Sequence, residues 1–401
     1  MRFCFYSGYR NLKGGYTTLL LTLIRELYRQ KQEVVLINFT EGLIADELMK
    51  DKVAIKILGL DTMSWKEISA AILPTDVFII TKFEEVYRHL FKVNPRVVYF
   101  DINDFICRIS EYKFGLKFPF LGKKLVQKLL AANSLFFMDD TGVFNLKQNF
   151  SIVVKHPIYL PIPVTVAAEN TYLKRHRNTD GILRLTYIGR SVNWKMMPLK
   201  KILADCARSA IQYRIHFSIV VDNRQDFMKY INLNEYKYAA NLSINVQENM
   251  LPSSINEFLL HNADGHFAMG TAALDAAKLG IPTVLVDYGT HDFPNGYQYK
   301  WLYETKNYSL GKNLDKLPAD TGFSIEELLS VLSGDNKKLE SYSELSYQYV
   351  LENHSVEKIV FKMMAVCHAA TFRLNCAKKF VLYYSNAHNF IKRMTRVFVK
   401  R

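Results

Sequence analysis

The sequence predicts an α/β protein of two similar domains that face each other across a cleft, with a helical, basic extension at the C-terminus. Three observations predict this fold. Short apolar segments alternate with helix-like segments along most of the chain, the alternation breaks off near residue 160, and it resumes over a similar length. Alternation of this kind is typical of a parallel sheet with helices on both faces. A chain of 401 residues is also long enough to form two domains.

The first domain is predicted to span residues 1–160. Residues 1–8 are mostly apolar and predict a buried strand, a glycine-containing loop follows, and apolar side chains at helical spacing predict a helix over residues 16–30. Further apolar segments predict strands at residues 33–39, 53–60, 76–82, 96–103 and 134–140. Helix-like segments separate several of these strands, which is the pattern of a parallel α/β sheet.

Residues 161–182 are predicted to be a linker, because prolines are followed there by polar and basic residues without periodicity. The second domain, residues 183–353, then repeats the α/β pattern. Its predicted strands and helices are 183–190, 198–211 (helix), 214–222, 242–248, 252–261 (helix), 263–269, 270–279 (helix) and 282–289. The remaining residues, 354–401, are predicted to be a helical basic tail, since ten Lys or Arg and no acidic residue occur from Lys358 onward.

The composition restricts the class of protein and its partners. The net charge of +14 favours anionic partners, which are nucleic acids, anionic lipids or phosphorylated small molecules. Five scattered cysteines without a CxxC pair fit a reducing compartment. The N-terminus has no long apolar signal segment, and no window reaches about 18 continuous apolar residues. We therefore expect a cytoplasmic protein whose membrane contact, if any, is peripheral.

The strongest local signal is the start of the helix predicted from residue 270. Gly270 allows an anion to approach the backbone, and the unpaired N–H groups that begin at Thr271 favour a phosphate. Asp275, about one turn further along, is positioned to accept hydrogen bonds from ribose hydroxyls. The alternative is an ordinary strand-to-helix turn with a capping threonine and a solvated aspartate.

A second signal follows the first strand of the second domain. Gly189 ends this strand, and Arg190 and Lys195 follow it on the loop. Cations at the carboxyl end of a strand lie where open α/β sheets bind anionic ligands, and a departing diphosphate requires such neutralisation. The alternative is a pair of surface charges.

The third signal is the adjacent pair Gly14 and Gly15, just before the first helix. Such a loop brings backbone N–H groups close to a phosphate or sugar oxygen. The segment lacks both the GxGxxG spacing of a dinucleotide site and the ending of a P-loop, so those two assignments are excluded. A plain flexible turn is the alternative.

At these residues the sequence resembles the GT-B glycosyltransferases, which have two Rossmann-like domains, and especially the large retaining family usually numbered four. In that family paired glycines follow the first strand, as Gly14 and Gly15 do here. A Gly-Arg followed by Lys five residues after the Arg opens the second domain, as at Arg190 and Lys195. An acidic residue then precedes Ala-x-x-x-Gly-x-Pro, as Asp275 does. The resemblance implies that Arg190, Lys195, Gly270, Thr271 and Asp275 bind a nucleotide-sugar donor, together with Gly14 and Gly15.

The sequence departs from the family pattern at one position. The glutamate that contacts the transferred sugar would fall at Phe267, which accepts no hydrogen bond, and His266 beside it is a candidate polar substitute. As catalytic groups of the first domain we consider Asp101 and Asp104, because carboxylates at strand ends suit the chemistry of glycosyl transfer. Asp139, Asp140 and His156 are further candidates. No convincing Asp-x-Asp motif is present, so no metal is expected.

Two basic, aromatic segments favour contact with an anionic membrane surface. Residues 108–128 combine six cations with four aromatic side chains, and the C-terminal tail has a similar composition. A solvated basic surface is the alternative. Nucleic acid is a weaker candidate partner because no nucleic-acid-binding signature is present.

The predicted function is transfer of a hexosyl group from a nucleoside diphosphate sugar to a glycan or lipid-linked saccharide in surface polysaccharide synthesis, of the O-antigen or capsule type. The enzyme would act at the inner face of the cell membrane. The alternatives are a nucleotide-sugar 2-epimerase of the same fold and a non-catalytic scaffold subunit. The sequence leaves open the sugar, the nucleotide, the acceptor and the stereochemistry.

Overall fold

The computed structural model describes residues 1–12, 14–102, 119–166, 180–334 and 336–381. The chain forms two compact units. Unit 1 comprises Met1–Pro163 and Val356–Arg401, and unit 2 comprises Val164–Ser355. Each unit contains a six-stranded sheet with helices packed on it, so the predicted fold of two Rossmann-like α/β domains is confirmed.

The sheet of unit 1 is entirely parallel, with strand order β3-β2-β1-β4-β5-β6. Its strands are β1 (Arg2–Tyr6), β2 (Glu33–Asn38), β3 (Lys56–Gly59), β4 (Val77–Ile80), β5 (Arg96–Asp101) and β6 (Leu135–Phe137). The central strands are short apolar runs with nearly every residue buried, because helices cover both faces of the sheet. This explains why continuous apolar segments predicted the strands correctly.

The helices of unit 1 that precede the linker are α1 (Gly15–Arg29), α2 (Leu43–Lys50), α3 (Trp65–Ala71), α4 (Pro119–Ala131) and α5 (Asp140–Phe150). A short 3-10 helix, Glu85–Leu90, follows β4. Local signals define several helix ends. Ser64 and Glu67 form a capping box at α3, and Asp139 accepts a hydrogen bond from the Thr141 N–H at the start of α5.

The sheet of unit 2 has strand order β12-β11-β10-β7-β8-β9, and only β12 is antiparallel to its neighbour. Its strands are β7 (Ile182–Ile188), β8 (Arg214–Val221), β9 (Leu242–Glu248), β10 (Gly265–Ala268), β11 (Thr283–Leu285) and β12 (Lys300–Trp301). Its helices are α6 (Asn193–Ser209), α7 (Arg224–Tyr230), α8 (Pro252–Asn262), α9 (Thr271–Ala277), α10 (Ile325–Leu332) and α11 (Asn336–Asn353). The 3-10 helices Leu233–Tyr236 and Leu302–Glu304 lie between them.

Helix α6 begins earlier than the sequence predicts. The sequence predicts a helix over residues 198–211, but the helix begins at Asn193 and ends at Ser209, so Pro198 lies inside it. The fixed φ of proline is compatible with a helix even though its ring removes one backbone donor. Consequently Lys195 lies in the first turn of α6 and not on the preceding loop.

The C-terminal segment returns to unit 1. Helix α12 (Val356–Ala369) packs against α1, and its side chains Val360, Met363 and Cys367 are fully buried there. A 3-10 helix, Leu374–Ala377, follows, and the N–H of Val97 in β5 donates a 2.9 Å hydrogen bond to the Phe372 carbonyl. The first part of the predicted basic tail is therefore an integral part of the unit 1 core.

The strand orders locate the ligand-binding edge of each sheet. In unit 1 the order reverses at β1 and β4, and in unit 2 it reverses at β7 and β10. Open α/β sheets bind ligands outside the carboxyl ends of the strands at such reversal points.

In the part of the chain that the structure describes, no helix is both long and apolar enough to cross a membrane.

Candidate functional site

The loop after β7 is held against the end of β8. The N–H of Gly189 donates to the Val220 carbonyl at 3.1 Å, and the N–H of Ser191 donates to Asp222 Oδ1 at 2.6 Å. A Cβ atom at position 189 would lie 2.8 Å from the Tyr187 ring, which explains the glycine. The anchored loop carries the exposed side chain of Arg190 at the carboxyl end of β7.

Lys195 is half-buried beside Arg190 at the start of α6. Burial and, to a smaller extent, the positive charge of Arg190 lower the pKa of the Lys195 ammonium to about 8, and Asp222 acts in the opposite direction. Desolvation and a neighbouring cation both disfavour the charged form. An anion placed between the two cations would relieve this repulsion, so the pair is suited to bind a phosphate or diphosphate.

Two aromatic residues that the sequence did not indicate border this pair of cations. The Trp194 ring lies edge-on to the Tyr288 ring at 5.4 Å between centroids, and Lys195 Nζ lies 5.3 Å from the Trp194 centroid. Tyr288 follows β11, and Asn193 Nδ2 donates a 3.4 Å hydrogen bond to the Thr290 carbonyl. These contacts join the start of α6 to the loop after β11. The only sequence signal was the tryptophan inside the Arg190–Lys195 segment.

Gly270 and Thr271 form the predicted turn between β10 and α9. Gly270 has φ of 62° and ψ of −142°, a conformation that strongly favours glycine. Its N–H donates a 2.8 Å hydrogen bond to the Leu310 carbonyl, so the expectation that Gly270 offers this donor to a ligand is corrected. Thr271 is exposed, and within the described residues no acceptor is bonded to the N–H groups of Thr271 and Ala272.

Asp275 lies on the second turn of α9. Its Oδ1 accepts a 2.7 Å hydrogen bond from Lys278 Nζ, and 33% of the Asp275 side chain is exposed. The ion pair orients the carboxylate while part of it stays accessible. A carboxylate can accept several hydrogen bonds, so Asp275 retains capacity for ligand hydroxyls.

The structure does not support a substrate contact for His266. Its side chain is fully buried on β10, its Nδ1 lies 2.8 Å from Thr186 Oγ1, and burial lowers the pKa of its imidazole to about 3. The neutral ring is a core group because the strand is covered on both faces. Phe267 is also fully buried, between the Phe217 and Tyr299 rings at 6.3 and 5.7 Å.

The paired glycines of unit 1 begin α1. Gly14 precedes the helix with φ of 148°, and a Cβ atom at Gly14 or Gly15 would meet no atom within 4 Å. Both residues are exposed. The backbone is therefore accessible at this helix start, and the role of Gly14 and Gly15 in donor binding stays a prediction.

The carboxylates predicted as catalytic groups in unit 1 have structural roles where the structure describes them. Asp101 has only 3% of its surface exposed, and a Cβ atom at Gly142 of α5 would lie 2.8 Å from its Oδ2. The prediction that Asp101 contacts a substrate is thus corrected, because α5 covers it. Asp104 lies outside the described residues. Asp139 caps α5, Asp140 accepts a hydrogen bond from the Tyr159 hydroxyl, and His156 is exposed.

No protein-family model and no curated protein sequence matches the chain. Solved structures do match. HepE of Anabaena in complex with UDP is 11% identical with a TM-score of 0.57, covering 92% of this chain and 100% of that chain. The lipopolysaccharide outer core galactosyltransferase WaaB in its apo form is 12% identical with a TM-score of 0.56, covering 92% and 99%.

An α-glucosyltransferase in complex with UDP-glucose and DNA containing an abasic site also matches, with 11% identity, a TM-score of 0.51, and coverage of 92% of this chain and 99% of that chain. At such low identity these likenesses establish the fold alone. The chain has the two-domain α/β fold of GT-B glycosyltransferases along nearly its whole length.

Proposed function

We propose that the protein is a glycosyltransferase that moves a sugar from a nucleoside diphosphate sugar to a glycan or lipid-linked saccharide. The observation that carries this proposal is the pair Arg190 and Lys195 at the carboxyl end of β7, where burial and mutual repulsion leave Lys195 with a lowered pKa. Glycosyl transfer releases the nucleoside diphosphate of the donor, and two adjacent cations stabilise the negative charge that develops on this leaving group. In this proposal Arg190 and Lys195 supply that stabilisation without a metal ion.

The remaining donor contacts follow from the same edge of the sheet. The N–H groups at Thr271 would donate to phosphate oxygens, and the accessible carboxylate of Asp275 would accept hydrogen bonds from the ribose. Trp194 offers an aromatic face beside Lys195. Gly14 and Gly15 of unit 1 are the further donor contacts that the motif resemblance implies. The UDP bound to HepE makes UDP the first nucleotide to test.

We further propose that the acceptor belongs to a surface polysaccharide of the O-antigen or capsule type and that the enzyme acts peripherally at the inner face of the cell membrane. The net charge of +14 supports contact with an anionic membrane surface. The matching structure WaaB is named a lipopolysaccharide outer core galactosyltransferase, which supports a surface polysaccharide as the acceptor. Residues 108–118 of the basic segment 108–128, and residues 382–401 of the tail, lie outside the described residues, whereas residues 119–128 belong to α4. A nucleic-acid acceptor is the competing assignment, since one matching glucosyltransferase is bound to DNA.

The test is a screen of UDP-glucose, UDP-galactose, UDP-N-acetylglucosamine, GDP-mannose and ADP-glucose, with release of nucleotide and sugar products measured. The wild type is expected to cleave one of these donors. Lys195→Ala is expected to lower turnover by about 100-fold or more with an unchanged melting temperature, because it removes one stabilising charge from the leaving group. Near-normal turnover by Lys195→Ala would disprove the assignment.

The matched control is Lys200→Ala on the same helix. Lys200 is partly exposed and lies 3.6 Å from the exposed carboxylate of Asp292, so its removal is expected to leave turnover unchanged.

The same screen tests the alternatives. Formation of an epimerised nucleotide-sugar would indicate a 2-epimerase. Binding without turnover would indicate a scaffold subunit, which the burial of Phe267 at the position of the family's sugar-contacting glutamate favours.

A further inference from the structure

The carboxyl ends of β1 and β4 meet where the strand order of unit 1 reverses. Four residues beyond β4, Glu84 lies at the start of the 3-10 helix Glu85–Leu90, and its carbonyl accepts a 3.2 Å hydrogen bond from the Tyr87 N–H. This backbone contact holds Glu84 at the edge of the sheet. Ligands of open α/β sheets bind at this position, so the chemistry of the Glu84 side chain bears directly on what unit 1 binds.

Three tyrosines meet at the carboxyl end of β1. Tyr6 ends β1 and Tyr16 belongs to the first turn of α1, where its hydroxyl donates a 3.0 Å hydrogen bond to the Tyr6 carbonyl. The Tyr6 ring lies edge-on to the Tyr87 ring at 5.6 Å. A Cβ atom at Gly8 would lie 2.5 Å from the Tyr6 hydroxyl, so a glycine is required for this ring position. The loop after β1 thus leaves room for the Tyr6 ring next to Tyr87, whose N–H is bonded to the Glu84 carbonyl.

Burial raises the pKa of the Glu84 carboxyl, and Lys82 opposes this effect. The pKa values of the neighbouring phenols are raised as well. The charge of Glu84 adds to burial in raising the pKa of Tyr6. Burial raises the pKa of Tyr16 to about 12, a hydrogen bond with Thr81 opposes the rise, and the charge of Glu84 adds a smaller contribution to it. Burial and the charge of Glu84 also raise the pKa of Tyr87, and Lys82 is the one cation among the described groups that influence the pKa of Glu84.

Among the described residues no hydrogen bond or ion pair ends on the Glu84 carboxylate. The other acidic side chains considered in unit 1 differ in this respect. Asp101 is covered by α5, and Asp139 and Asp140 serve helix capping and a tyrosine contact. A partly exposed carboxylate that lacks a partner and sits among neutral phenols is a ready acceptor for the hydroxyl of a ligand.

We propose that Glu84, at the sheet edge where Tyr6, Tyr16 and Tyr87 meet, forms the acceptor-hydroxyl site of unit 1 and takes the proton of the hydroxyl that becomes glycosylated. This inference rests on the proposed function. In the step, the acceptor O–H bond breaks and its proton moves to the Glu84 carboxylate. The acceptor oxygen bonds to the anomeric carbon, whose bond to the diphosphate oxygen breaks with the electron pair leaving on the diphosphate. Solvent then removes the proton from Glu84.

The experiment uses the full chain with UDP-glucose, or whichever donor of the screen is cleaved, and with water as the acceptor, so that no carbohydrate acceptor has to be known. Glu84→Gln is expected to lower the rate by about 100-fold to 10,000-fold, because the amide keeps the shape but takes no proton. Because the pKa of Glu84 is raised, the wild-type rate is expected to fall as the pH drops through a value above about 4.3, the ordinary pKa of a glutamate carboxyl. Glu84→Gln is expected to lack this loss of rate at low pH, which is the acid limb of the pH–rate profile.

Two variants and one binding measurement separate this role from a structural one. Glu84→Asp retains a carboxylate and is expected to recover part of the rate together with the acid limb. Glu41→Gln makes the same chemical change at an exposed position of unit 1 and is expected to behave as wild type. UDP affinity is expected to be unchanged in all three variants because the donor cations belong to unit 2.

The outcomes distinguish the two proposals. If the wild type cleaves no donor and binds no UDP, the proposed function fails, and this inference with it. If the wild type cleaves the donor and Glu84→Gln does so at the same rate with the same acid limb, the proposed function stands and the role of Glu84 is refuted. A lowered rate in Glu84→Gln with an unchanged acid limb also refutes proton transfer to Glu84.

Discussion

Burial decides the chemistry of the basic side chains in the candidate site. Lys195 and His266 both have lowered pKa values because desolvation disfavours their charged forms. Lys195 is only half-buried and ionises near pH 8, so an anionic ligand can change its protonation. His266 is fully buried and stays neutral at physiological pH, so it serves the packing of β10. The same physical effect therefore produces a binding group in one case and a core group in the other.

We expect the affinity for UDP to fall as the pH rises through about 8, because Lys195 loses its positive charge there. The terminal phosphate of UDP titrates near pH 6, about two units lower, so the charge of the diphosphate is constant over this range. The uracil N3–H ionises only toward the top of the range, and it does so equally for every variant. The loss is expected to be on the order of tenfold between pH 7 and pH 9.5, the value of one hydrogen bond to a charged group. Isothermal titration calorimetry over this pH range measures it.

Lys195→Arg provides the control for this pH dependence. Arginine stays protonated throughout the range, so UDP binding by this variant is expected to lack the loss of affinity centred near pH 8. If wild-type affinity is also constant over this range, Lys195 does not contact the diphosphate. Proton uptake on binding at pH 8.5, seen as a dependence of the heat on the buffer, is expected in the wild type alone.

A buried polar contact joins two strands of unit 1 in addition to their apolar faces. In unit 1, Arg2 at the start of β1 donates to both carboxylate oxygens of Asp76, at 2.9 Å and 2.7 Å, immediately before β4. Asp76 is fully buried and also accepts a 2.8 Å hydrogen bond from the Leu73 N–H. This bidentate pair joins the two strands at which the order of the sheet reverses.

Replacing Arg2 by leucine is expected to destabilise unit 1 by about 3–5 kcal/mol, since it leaves the Asp76 carboxylate buried without its cation. Urea unfolding followed by circular dichroism measures the change. The control is Arg10→Ala, which removes the exposed pair of Arg10 with Asp61 and is expected to cost less than about 1 kcal/mol. Equal costs for the two variants would contradict the structural role assigned to the buried pair.

The chain passes through unit 1, then unit 2, and returns to unit 1. Unit 2 is one continuous segment, Val164–Ser355, and its two ends lie side by side, since the Val164 N–H donates a 2.8 Å hydrogen bond to the His354 carbonyl. Helix α12 then completes the core of unit 1 against α1. The stability of the two units is therefore expected to respond differently to truncation at the C-terminus.

Truncation after Ser355 is expected to unfold or severely destabilise unit 1, because it exposes the face of α1 that α12 covers, and to leave unit 2 folded. Differential scanning calorimetry is expected to show loss of one transition and retention of another that UDP still stabilises. Truncation after Val381 removes only residues 382–401 and is expected to retain both transitions. A single unchanged transition in both truncated proteins would disprove this division of stability.

Much of the fold could be predicted from local pattern. The strand and helix positions of both series followed from apolar periodicity, and the segment from Gly189 to Lys195 followed from the type and spacing of its residues. The limits of this reasoning appear at individual positions. Pro198 suggested a helix start but lies inside α6, and Asp101 suggested a catalytic carboxylate but is covered by α5. Periodicity does not report which neighbour covers a strand end.

The sequence by itself determined the two α/β series and the cations at the end of β7, because hydrophobic spacing and strand-end chemistry are properties of short segments. Only the tertiary structure decided that His266 is a core residue, that Tyr6, Tyr16 and Tyr87 meet at the sheet edge that carries Glu84, and that α12 belongs to unit 1. The physical reason is that burial, and with it the pKa of a side chain, depends on contacts between residues far apart along the chain.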